Sequence, residues 1–159
     1  MLSWFRSERV PKLFQASSLR DQGKIVLMDS YYDKLFYQYV GKSGMEWIMP
    51  PNDPYYQIAV NMMEKDWQLL PNANYILFLS VEFEDWKYFL SKRNRNLDKD
   101  EGFLESFKTQ DLFLEAVREA ERKFDSKVII YNQKPVSARE NAQEIFNLLL
   151  KENVLTLPQ

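Results

Sequence analysis

Hydrophobic positions along the chain recur in two periods, and the switches between them divide it into helices and short buried strands. Phe5, Val10, Leu13, Phe14 and the stretch Ser17 to Leu19 share one helical face. Asp21-Gln22-Gly23 closes that segment, because glycine suits the residue just past a helix end. Lys24 to Asp29 is a continuous apolar run ended by an acid, which predicts a strand buried on both faces. A further helix is predicted from about Ser30 through Leu35, Phe36 and Tyr39 to Val40. Gly41-Lys42-Ser43-Gly44 and the segment Met49 to Pro54 then bracket a loop, since paired prolines break both ladders and helices. Asp53 followed by Pro54 reads as an N-cap and a first helical position. Tyr55, Ile58, Ala59, Met62, Met63, Trp67 and Leu70 recur at three and four, an amphipathic helix that Pro71 stops.

Tyr75 to Val81 is a second buried-type strand, followed by a helix with Phe83, Trp86, Phe89 and Leu90 on one face. That helix leads into the polar and mostly charged stretch Lys92 to Asp100. A long helix from about Phe103 to Phe124 precedes a third strand, Lys127 to Tyr131. Ser137 and Glu140 form a capping box opening a last helix, whose expected face is Ala142, Ile145, Phe146 and Leu149. Helices alternating with strands in this way predict one α/β domain with a parallel sheet. Ligands of open sheets sit beyond the carboxyl ends of the strands, which points to Asp29, to Ser80 through Glu84, and to Asn132 onward.

Composition narrows the chemistry. The 159 residues include no Cys and no His, so thiol nucleophiles, disulfides and imidazole acids or bases are excluded. Lys+Arg 21 against Asp+Glu 23 leaves a net charge of -2, without the basic field that drives nucleic-acid binding. No run approaches bilayer-spanning length, so no membrane partner is expected and a cytoplasmic location is. No metal site made only of protein ligands is suggested. Only 4 glycines occur, and none are spaced as a GxxxxGK(S/T) phosphate loop. Gly41-Lys42-Ser43 imitates the end of that motif, but Phe36 stands where its first glycine belongs.

The order of motifs nevertheless resembles the thymidylate kinase and deoxynucleoside kinase branch of the P-loop nucleotide kinases. Phe5-Arg6-Ser7-Glu8-Arg9 is similar to F-x-x-D-R, and Gly23 through Tyr31 to G-K-x-V-x-x-D-R-Y. Tyr37-Gln38 with Gly41-Lys42 resembles Y-Q-x-x-G-R. Pro71-Asn72, then Leu77 to Val81 and Glu84, resemble P-D-x-x-x-x-L-x-V-x-x-E, and Arg93-Asn94-Arg95 resembles the R-x-R of the mobile lid. The resemblance covers the chain from about Phe5 to Leu150.

It implies a three-layer, P-loop-kinase-like parallel sheet with flanking helices, its first two strands and phosphate loop falling before Phe5. The 159 residues are then expected to be one N-terminally incomplete domain. It implies ATP and Mg²⁺ as cofactors and phosphoryl transfer to a thymidylate-like nucleotide or deoxynucleoside. Asp29, Arg93 and Arg95 would act near the phosphates, the two arginines neutralising charge on the transferring group. Phe5, Arg9, Tyr37, Gln38 and Lys42 would shape the acceptor site.

Departures from the pattern are specific. Ser30 replaces the arginine of D-R-Y and cannot pair bidentately with a phosphate. Phe89 stands where an arginine often begins the lid helix, and Asn132 where an acid follows the last strand. Without a phosphate loop the chain is expected to be inactive by itself, and a homodimer or a second chain is a candidate for completing the sheet. The alternatives are a non-catalytic remnant that binds a nucleotide or a partner chain, and a purely structural oligomerisation module.

Overall fold

The computed structural model describes residues 2–29, 49–93 and 103–156. Among them are five helices and a two-stranded parallel sheet, a mixed α/β arrangement. They fall into two compact units, Met1–Ala73 and Asn74–Gln159.

In the first unit, helix α1 (Leu2–Asp21) continues through Pro11, which removes one backbone hydrogen bond from the helix interior. Its end is set by Gly23 at φ +78, where the Gly23 N–H donates to the Arg20 carbonyl (2.8 Å) and the Lys24 N–H to the Leu19 carbonyl (3.1 Å). That six-to-one and five-to-two pair satisfies carbonyls the helix would otherwise leave open, and it needs the left-handed conformation glycine adopts without strain. Helix α2 (Tyr56–Leu69) buries Ala59 and Met63 and is followed by buried Leu70, and Leu13 of α1 is buried as well. Asp66 lies on the same inner stripe of α2, only 5% exposed.

Three expectations for this unit are corrected. Lys24 to Asp29 takes no part in a ladder among the described residues, with Ile25 and Leu27 exposed. A strand is held by its neighbour, and no described segment pairs with this one. The amphipathic helix starts at Tyr56 rather than Pro54; Asp53 instead closes a turn, its carboxylate accepting from the Tyr55 N–H (2.8 Å) and its carbonyl from the Tyr56 N–H (3.0 Å). Phe14, Tyr55 and Ile58, expected on inner faces, are exposed. The helix predicted from Ser30 to Val40 and the Gly41 to Gly44 turn lie outside the described residues.

In the second unit, β1 (Tyr75–Val81) and β2 (Lys127–Gln133) pair in parallel, in a register running from Tyr75 opposite Lys127 to Val81 opposite Gln133. Two helices connect them, α3 (Phe83–Arg93) and α4 (Phe103–Phe124). They meet through Phe107, whose ring lies 5.1 Å from Phe83 and 5.4 Å from Trp86. α4 turns Ala116, Val117 and Ala120 inward, all nearly inaccessible; two alanines in that stripe let the helix backbone come close. From α4 two side chains reach strand backbone. Gln110 accepts from the Val81 N–H (2.9 Å) and donates to the Val81 carbonyl (3.2 Å), and Glu121 accepts from the Val128 N–H (3.0 Å). α4 also carries ion pairs of Arg118 with Glu121, and of Arg122 and Lys123 with Glu119.

Helix α5 (Ala138–Lys151) opens on the predicted capping box: the Ser137 hydroxyl accepts from the Glu140 N–H (3.2 Å), and the Glu140 carboxylate accepts from the Ser137 N–H (2.9 Å). Ser137→Ala is expected to lower stability by about 1 kcal/mol in urea denaturation, because the Glu140 N–H loses its hydroxyl acceptor while the N–H of residue 137 keeps the Glu140 carboxylate. A midpoint unchanged from the parent chain would sink that expectation. The inner face of α5 differs from the predicted one. Ala142 and Phe146 are exposed, while Asn141 and Leu149 are buried, so the helix is rotated toward the side that carries a polar residue.

Candidate functional site

Parallel pairing brings both strand carboxyl ends to the same edge, and the polar residues there are coupled. The Ser80 hydroxyl donates to the Tyr131 carbonyl and to Asn132 Oδ1 (3.4 Å each), and Asn132 Nδ2 donates to Glu82 (3.3 Å). Of the three places the strand-end rule points to, Asp29, Ser80 through Glu84, and Asn132 onward, these hydrogen bonds join the second and third.

β2 then leaves the sheet through Lys134 to Ser137. This turn is fixed from α5: Asn141 Oδ1 accepts from the Lys134 N–H (3.1 Å), and its Nδ2 donates to the Lys134 carbonyl (3.0 Å) and the Ser137 carbonyl (3.5 Å). Asn141 Oδ1 also receives the Tyr131 hydroxyl (2.8 Å), whose proton is shared with Glu144 Oε2 (3.0 Å). Lys134 Nζ completes the cluster at 2.8 Å from Glu144. The Lys134 ammonium, followed by the Tyr131 hydroxyl, holds the Glu144 carboxyl below its ordinary range, and the carboxylate in turn raises Lys134. Burial and then the Glu144 contact push the Tyr131 phenol up. Groups tied to one another in this way shape a loop rather than transfer protons.

Beside that loop a pocket of about 430 Å³ opens between α3 and α5, lined by Tyr88, Phe89, Lys92, Gln133, Val136, Asn141 and Ile145 among others. Tyr88 and Phe89 meet edge to face, with ring centroids 5.9 Å apart. The Lys92 ammonium lies 5.3 Å from the Tyr88 ring and has no carboxylate partner among the described residues. An aromatic wall, a cation and a side-chain amide at the carboxyl end of a parallel strand suit a flat ring bearing an anionic group.

Protein-family models, curated proteins and solved structures provide no match.

Of the residues singled out by sequence, Arg9 and Asp29 come together: Arg9 Nη1 donates to the Asp29 carbonyl (2.8 Å). Asp29 thus stands at the end of a segment that joins no ladder among the described residues, and Arg9 holds its backbone. Phe5 lies in α1, and Arg93 is the last residue of α3, exposed to solvent. Tyr37, Gln38, Lys42 and Arg95 lie outside the described residues. Among the described residues no group of acids gathers into a metal-holding cluster, and no helix is long and apolar enough to cross a membrane.

Sequence reasoning missed two of the pocket's polar groups, Lys92 and Asn141. Lys92 opens a stretch whose charge suggests a solvated helix end, whereas Gln133 lies within the stretch from Asn132 onward that the strand-end rule points to. Asn141 was passed over because the apolar count favoured Ala142 beside it. A lone amide on an otherwise apolar helical face was the available signal.

Proposed function

We propose that this chain is a nucleotide-kinase-like protein of the thymidylate or deoxynucleoside kinase type, built on the three-layer P-loop plan. Its 159 residues bind a nucleotide but do not transfer a phosphoryl group by themselves. The pocket at the carboxyl end of β2 carries this reading: Tyr88 and Phe89 offer a wall for a base, and Lys92 a cation for a phosphate. The Arg9 contact to Asp29 supports an acceptor role for that locality, and Arg93 closing α3 suits a lid arginine. ATP fits the donor set of the pocket, and Mg²⁺ would arrive on its phosphates, as is usual for a cation that keeps few protein ligands. When bound, the ion would neutralise phosphate charge.

Inactivity of the 159 residues follows from charge. The reaction is carried by groups that neutralise the transferring phosphoryl, and this sequence lacks both the GxxxxGK(S/T) loop and the D-R-Y arginine. The 159-residue chain incubated with labelled ATP, Mg²⁺ and dTMP or thymidine is expected to give no product above background, while calorimetry detects ATP at millimolar ligand. Turnover abolished by Asp29→Ala would overturn the first half of this reading. Absence of any ATP binding would overturn the second. A non-catalytic remnant that binds a nucleotide or partner chain is the second reading, and the unladdered Lys24 to Asp29 segment favours it: an acid meant to meet a phosphate is not held there by a sheet.

A further inference from the structure

Gln133 is the last residue of β2 and stands half-buried in the lining of the pocket. Its backbone is fixed from two sides, by the pairing opposite Val81 and by the Asn141 clamp on the next residue, Lys134. Yet its side-chain amide has no hydrogen-bond partner among the described residues. The contrast with Asn141 is informative. Asn141 lines the same pocket, but both ends of its amide are spent on Tyr131, Lys134 and Ser137. Of the other lining side chains, Lys92 only donates, Tyr88 carries a hydroxyl that donates and accepts through a single oxygen, and the rest are apolar or aromatic, so only an amide presents a donor and an acceptor on two adjacent atoms. Gln133 alone among them offers an uncommitted donor and acceptor side by side.

We infer that Gln133 is the specificity-determining residue of this pocket, pairing through its amide with a base edge that presents an amino group next to a ring nitrogen. The amide oxygen accepts from the amino group and the amide nitrogen donates to the ring nitrogen, the bidentate match that a planar carboxamide makes with adenine. A base without the amino group leaves the amide half-paired in a partly desolvated site, so the site rejects it more strongly than loss of one contact suggests. The fixed backbone on both sides spares much of the ordering cost of presenting the amide. This inference rests on the nucleotide-binding reading and adds to it which edge of the base is read and by which residue.

The test is a ligand-by-residue cycle on the 159-residue chain, with ATP and purine riboside 5′-triphosphate as probes in calorimetry. The parent chain is expected to bind ATP about tenfold more tightly than the analogue that lacks the amino group. Gln133→Met keeps the side-chain volume, removes the amide, and should abolish the preference, so that the variant binds ATP and the analogue with equal affinity. Gln133→Ala serves as the second variant should the methionine disturb the fold, as judged by circular dichroism. Preference for ATP that survives in the variants, or equal binding of both probes by the parent chain, overturns the role of Gln133 and leaves nucleotide binding standing. Failure of the parent chain to bind either probe removes the nucleotide reading and this inference with it.

Discussion

Replacing Asn141 with leucine is expected to cost about 2–4 kcal/mol of stability, as much as a badly chosen core truncation, although the new side chain is apolar and similar in size. The side chain is 8% exposed, and its amide is a junction between strand, loop and helix. Leucine would leave the part-buried N–H and carbonyl of Lys134 without the partners they now have, while Tyr131 would keep only Glu144. The cost therefore comes from groups left behind, not from the group removed. Asn141→Asp separates the contributions: it retains an acceptor for the Lys134 N–H and the Tyr131 hydroxyl, loses the donor to the Lys134 carbonyl, and places a second carboxylate near Glu144. Urea denaturation followed by circular dichroism should rank parent chain, Gln143→Ala, Asn141→Asp and Asn141→Leu, with exposed Gln143→Ala within about 0.5 kcal/mol of the parent chain. An Asn141→Leu midpoint equal to that of the parent chain would show that the clamp is ornamental.

Arg6→Met should destabilise the first unit by about 3 kcal/mol, and adding Asp66→Leu to it should recover most of the loss. Arg6 Nε and Nη2 meet the two oxygens of Asp66 at 2.6 and 2.7 Å, a bidentate pair in which the carboxylate is buried and the guanidinium about one-third exposed. The burial is lopsided. Removing the arginine strands a carboxylate in an apolar stripe between Met63 and Leu70, whereas removing the aspartate leaves a cation that water can reach. Arg6→Met alone should thus be the worse of the two single changes, and the doubly apolar variant close to the parent chain. Equal losses for both single variants, or a double variant worse than either, would mean that the pair contributes net attraction rather than mutual relief of desolvation.

Both residues also show where pattern reading stopped. Periodicity located α2, α4 and α5, because runs of apolar side chains at three and four survive whatever they pack against, and the capping box and Gly23 marked helix ends by local chemistry alone. The same reasoning weights apolar residues only. It filled the inner stripes of α2 and α5 with Ile58, Ala142 and Phe146 and overlooked Asp66 and Asn141, which are buried because a particular partner elsewhere in the chain satisfies them. Lys24 to Asp29 failed for a related reason: Lys24-Ile25-Val26-Leu27-Met28 has the composition of a strand, but a strand is a property of two segments, and a run of residues cannot announce whether its neighbour exists. Arg9 and Asp29, which the motifs assign to separate contacts with a nucleotide, meet each other through the Asp29 backbone carbonyl, a contact the motif order does not foresee. Gln133 falls in the stretch from Asn132 onward that the strand-end rule points to, but as a residue after the strand, because the apolar signal of β2 ends at Tyr131, two residues before the ladder does.

The Gln110 amide sets where the sheet stops growing sideways. In the parallel register, the N–H groups of Leu77, Leu79 and Val81 point away from β2, along the outer edge of β1. At Val81 a side chain imitates the missing neighbour, offering an acceptor to its N–H and a donor to its carbonyl. A third strand laid along β1 would therefore find its partners only up to Leu79, and its last pairing would be dictated by a helix on the far side of the connection rather than by the strands themselves.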